Sequence, residues 1–109
     1  MTNIDIHIND DEYLVKLEGH AGYNPGNDIV CAAISQMICT YAALVNEQGE
    51  SVEIHEMYLD IAEVRIKFKA KSSREYIEAI TKFIIKGFRM LQEQYSEHIQ
   101  CQLEINKKM

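Results

Sequence analysis

A histidine and a cysteine flank a loop rich in Gly, Asn and Pro in the stretch GHAGYNPGNDIVCAAIS, which runs from Gly19 to Ser35. A thiol beside an imidazole can act as nucleophile and base, because the ring takes the thiol proton and later returns it to a leaving group. Cys31 falls in the opening turn of a predicted helix. There, unpaired backbone N–H groups and the positive end of the helix dipole favour thiolate over thiol. The same N–H groups would stabilise an oxyanion forming at an attacked carbonyl. Against this, free cysteines are among the most buried residue types and often only fill space. A histidine at a strand end, as His20 is, commonly serves as a surface residue or turn anchor. Residue types and spacing alone leave both readings open.

The remaining candidates are weaker. Cys39, in mid-helix, and Cys101, aligned with Ile99 and Leu103, read as small core hydrophobes. His7, His55 and His98 have no comparable partner nearby in sequence and read as solvated. Asp28, or Asn27 before it, suits the helix N-cap, where a side-chain oxygen accepts from free first-turn N–H groups. Ser35, one turn after Cys31, either lines the same site or bonds the preceding turn. Neither a Cys-x-x-Cys nor a His-x-x-x-His pair is present, so no metal is expected. The loop glycines are not followed by the lysine and hydroxyl residue of a phosphate-binding loop, so no cofactor is expected either.

These residues need elements to hold them. Residues 3–9 alternate, with Ile4, Ile6 and Ile8 on one side, and residues 13–19 alternate through Tyr13, Val15 and Leu17. Period two across a short polar turn predicts an antiparallel hairpin. The helix expected over 28–46 carries Val30, Ile34, Met37, Tyr41, Leu44 and Val45 on its core face. A second hairpin is expected over 51–58 (Val52, Ile54 and Glu56 on one face) and 61–70 (Ala62, Val64, Ile66, Phe68). Ser72 and Glu75 have capping-box spacing ahead of a helix to about Gln94 with Ile77, Ile80, Ile84, Phe88 and Leu91 in one stripe. Phe83, Ile85 and Met90 widen that stripe enough to cover a partner subunit, and Gly87 within it predicts a close backbone approach. A last strand is expected over 98–106, and Lys107 to Met109 read as a frayed tail. The expected fold class is α+β: two helices packed on a mostly antiparallel sheet, in the order β-β-α-β-β-α-β.

The chain has 109 residues, expected to form a single domain over 1–109, and a net charge of −6. That balance lacks the basic footprint of a nucleic-acid binder and favours cationic partners such as basic peptides. The N-terminus has neither the basic nor the apolar run of a signal peptide. No apolar stretch is expected to reach the roughly 18 residues that span a membrane. Three cysteines without such a leader point to reduced thiols and a cytoplasmic protein.

Gly19-His20-Ala21, followed after the loop by Gly26-x-Asp28-Ile29-Val30-Cys31-Ala32-Ala33-x-Ser35, resembles the signature of the ribosomal-processing cysteine protease Prp family. The resemblance extends to length, element order and the glycine within the second helix. It implies a cysteine protease with a Cys/His dyad, with His20 as the histidine, Cys31 as the nucleophile, and a loop over the site at about Gly22 to Asn27, which Pro25 would stiffen. It also implies a homodimer. Its substrate would be the basic N-terminal segment of large-subunit ribosomal protein twenty-seven, whose extension is removed after an aromatic residue during ribosome maturation. Tyr95-Ser96 departs from the Tyr-Pro pair expected there, and the last strand matches less well. The alternatives are a non-enzymatic ribosome-associated or protein-binding module of the same fold, and a thiol hydrolase with another substrate.

Overall fold

Alternating apolar residues impose the sheet. The computed structural model describes residues 1–23, 28–60 and 62–106. The predicted effect of Pro25 and the expected tail at 107–109 lie outside them. Strands β1 (Thr2–Asn9) and β2 (Glu12–Glu18) form the first hairpin, followed by helix α1 (Ile29–Asn46). Strands β3 (Val52–Asp60) and β4 (Glu63–Ala70), helix α2 (Arg74–Gln94) and strand β5 (Ile99–Asn106) complete the order. The sheet runs β3-β4-β2-β1-β5, antiparallel throughout except for the parallel β1–β5 pair.

The register stacks apolar residues across strands. Ile6 pairs with Val15 and Val15 with Ile66; Ile8 pairs with Tyr13 and Tyr13 with Phe68. Both helices close over this face. Val30, Ile34, Ile38, Tyr41, Ala42 and Val45 of α1 are buried, as are Ile77, Thr81, Ile84 and Phe88 of α2. Thr81 reaches the core because its hydroxyl bonds the Ile77 carbonyl at 2.7 Å and the Tyr41 hydroxyl at 2.9 Å.

Several expectations are corrected. Met37 and Leu44 are half-buried on α1, not buried, although Met37 still packs against the core. They line a groove of about 360 Å³ between the helices, and Ile38 and Ala42 take the core positions. A register shift between Ile54 and Glu56 turns β3 over, so Met57 pairs with Ile66 while Glu56 faces outward to bond Arg65 at 3.0 Å. Such a bulge exchanges the faces of every later residue, which strict alternation cannot anticipate. Ser73, not Ser72, is the N-cap of α2 and makes no side-chain cap bond, so the capping box does not form. The neighbour at Gly87 is not the backbone expected but a side chain: a Cβ there would overlap the methyl end of Met37. Finally, α1 is long and apolar enough to cross a membrane by length and composition, contrary to expectation. Its core stripe lies on the sheet here, and Ser35, Gln36 and Thr40 are exposed on its other side.

Candidate active site

The site forms at one end of the sheet, where β2 ends and β1, β4 and β5 begin. Gly19 turns the chain off β2 with φ +93, a conformation glycine accepts readily, and its N–H bonds the Ala62 carbonyl at 2.8 Å. A side chain at Gly19 would overlap the Met1 carbonyl oxygen, so the strand can pack this closely only without one. His20 follows, exposed, and Ala21 is buried.

Asp28 sets the opposite wall. It is the N-cap of α1, with Oδ1 accepting from the Val30 and Cys31 N–H groups at 3.0 Å each. Oδ2 accepts from the Tyr23 N–H at 3.0 Å, which draws the loop after His20 back toward the helix. The Cys31 N–H, above all, holds this carboxyl below the usual carboxylate range, against the opposing cost of desolvation; Tyr23, the Cys31 side chain and Val30 add to the lowering. The Ala32 N–H bonds the Asp28 carbonyl at 3.1 Å. Three of the first-turn donors expected to stabilise an oxyanion, those of Val30, Cys31 and Ala32, are thus already engaged.

A different N–H reaches the sulfur. Ala21 donates to Cys31 Sγ at 3.2 Å, across the loop. His20 and Cys31 both line a cavity of about 100 Å³, with Thr2, Gly19, Ser35 and Ala62 around them. The structure therefore brings the two predicted residues to one cavity, although among the described residues no hydrogen bond joins the His20 ring to the Cys31 thiol. Catalytic hydrogen bonds are often open in a site without substrate and tighten around it. The larger groove between the helices holds no comparable chemistry.

The other thiols and rings fall elsewhere. Cys39 is exposed on α1, not a core residue, while Cys101 is half-buried and burial pushes its thiol upward, partly offset by Arg89. His7 and His55 are exposed beside Glu104 and Glu53. His98 is not solvated as expected: it is half-buried, and its Nδ1 lies 2.9 Å from the Ala21 carbonyl oxygen. The chain separation of 77 residues explains why no local pattern could reveal this. Among the described residues no group of three or more His, Cys, Asp or Glu could hold a metal ion.

A family model described as cysteine protease Prp matches residues 1–100. No curated protein sequence matches significantly. The fold is similar to that of the essential ribosomal processing protease Prp from S. aureus in complex with a covalently linked product peptide, at 23% identity and a TM-score of 0.79, covering 95% of this chain and 100% of that one. The same S. aureus protease with a substrate peptide gives 20% identity and a TM-score of 0.75, with the same coverage. SMU.848 from Streptococcus mutans gives 21% and 0.72, covering 97% of this chain and 96% of that one.

Proposed function

The chain belongs to the cysteine protease Prp family, and from that premise we propose that it is an endopeptidase of ribosome maturation with a Cys31/His20 dyad. The observation that carries this reading is the shared cavity, with His20 on the strand side, Cys31 on the helix side and the Ala21 N–H on the sulfur. His20 takes the thiol proton as Sγ attacks the scissile carbonyl, and the protonated ring gives that proton to the leaving amine. The resulting thioester is hydrolysed by water, with His20 again as base, which releases the new carboxylate and restores the thiol. In this reading the Ala21 N–H, which donates to the sulfur, takes the part of the first-turn donors named above, which are occupied.

The substrate in this reading is the N-terminal extension of large-subunit ribosomal protein twenty-seven, and the net charge of −6 suits a basic segment. The solved S. aureus relatives hold a product peptide and a substrate peptide, which supports a peptide ligand for this chain. The same reading makes the protein a cytoplasmic homodimer, in which Phe83, 76% exposed beside the inter-helix groove, would lie against the second copy.

Incubation with the host's precursor ribosomal protein, followed by mass spectrometry of the new N-terminus, tests the proposal. Wild type should release the extension, while Cys31→Ala and His20→Ala should release none and keep the wild-type melting curve. Full cleavage by Cys31→Ala would overturn it.

A further inference from the structure

The loop that carries His20 is tied down from a part of the chain that the dyad does not include. We propose that His98 is a positioning residue of the active site: its ring holds the Ala21 carbonyl so that the Ala21 N–H stays on the Cys31 sulfur. The inference rests on the protease reading above and names a residue that reading does not use.

The geometry has three parts. First, the His98 backbone is fixed on both sides, its N–H bonding the Tyr95 carbonyl at 2.8 Å and its carbonyl accepting the Thr2 N–H at 2.9 Å. The ring therefore projects from a rigid corner between α2 and β5. Second, Nδ1 lies 2.9 Å from the Ala21 oxygen. A carbonyl only accepts, so Nδ1 carries the proton in this contact, whether or not Nε2 is protonated. Third, Tyr23 stands edge-on to both the His98 ring, at 5.5 Å, and the Tyr95 ring, at 5.2 Å. Residues 21 to 23 are thus held by the α2–β5 corner on one side and by Asp28 and Cys31 on the other.

Ala21 is the link. It is 1% exposed, so its carbonyl has little access to water if the imidazole is removed. Leaving a buried acceptor unpaired is costly, and the cheapest remedy is rotation of the backbone toward solvent. That rotation moves the Ala21 N–H off Cys31 Sγ, while His20 is displaced with it. Loss of that donor withdraws a hydrogen bond from the reacting sulfur, and has little reason to change how a peptide binds.

The test compares His98→Leu, which removes the donor, with His98→Asn, whose amide nitrogen can stand where Nδ1 stands. Two readouts are needed: kcat and KM for cleavage of an extension peptide, and the rate of Cys31 alkylation by iodoacetamide at pH 6. His98→Leu should lower both kcat and the alkylation rate about tenfold with KM within about twofold, the size expected for one lost hydrogen bond. His98→Asn should restore both. Wild-type values in His98→Leu, or no recovery in His98→Asn, would overturn the proposal. If His98→Leu does not fold, His98→Asn against His98→Asp makes the same comparison at equal shape, since Asp presents an acceptor to the Ala21 carbonyl. Equal kcat in that pair would overturn it. The alkylation readout needs no substrate, so a failure of the protease reading, seen as cleavage by Cys31→Ala, is distinguishable from a failure of the His98 inference.

Discussion

Asp28 gathers three backbone N–H groups onto one carboxylate, and so couples the helix that bears Cys31 to the loop that follows His20. Its pKa is depressed in the folded chain, foremost by the Cys31 N–H. A carboxyl of that kind contributes stability above its unfolded pKa and loses it as pH falls through the folded value. Asp28→Ala should therefore lower the urea midpoint at pH 7. The gap to wild type should hold down to about pH 5 and close below that, as the wild-type carboxyl takes up its proton. Urea titrations at pH 7, 5 and 3 check this, and an undiminished gap at pH 3 would exclude the carboxylate as its cause. The same residue shows what a sequence can reveal at this scale. A cap is a local feature, and an Asp before an apolar run declares it. The tie from its second oxygen to Tyr23 crosses the loop and has no local signal.

Two glycines separate the demands that strands and helices make. Gly19 combines a left-handed φ with a backbone oxygen where its Cβ would go, whereas Gly87 faces only the flexible end of Met37. Gly19→Ala should cost about 2 kcal/mol or more, because neither the conformation nor the Met1 carbonyl can yield cheaply. Gly87→Ala should stay within about 1 kcal/mol of wild type, since the helix-propensity gain offsets displacement of a methionine methyl. Thermal melts of both variants check the contrast, and equal losses would refute it. Elements with unbroken periodicity were legible in advance: β1, β2, α1, α2 and β5 stand within two residues of their expected limits. The misreadings arose where one residue breaks a pattern. The bulge at β3 reversed the face of Glu56, and a cap at Ser73 replaced the box expected at Ser72. Within α1, Ile38 is buried and Met37 only half-buried because a second helix, not the sheet alone, decides which stripe is covered. The nearness of His20 and Cys31 at one cavity was readable from an uninterrupted segment, whereas the contact of His98 with Ala21 was not, because the two lie 77 residues apart.

At the scale of the whole molecule, one aromatic seam joins the sheet to α1. Phe68 is fully buried, stacks on Tyr13 at 5.1 Å with the ring planes 2° apart, and meets Tyr41 at 6.3 Å. Phe68→Ala should cost about 3–5 kcal/mol, a large share of the roughly 5–15 kcal/mol that holds a domain folded. Urea denaturation measures it, and a loss under about 1 kcal/mol would mean the seam relaxes around the gap. The parallel β1–β5 pair has a different consequence, one of timing. During synthesis β1 emerges first among the described elements and β5 last, so the outer neighbour of β1 is missing until translation reaches residue 99 and beyond. The thiol and the exposed imidazole leave the ribosome early, but the strand that bonds Thr2 and the ring that grips Ala21 arrive at the end. A nascent chain of this protein therefore presents Cys31 and His20 before β5 and the His98 corner beside Ala21 have been made, and the geometry around them is complete only when the sheet is whole.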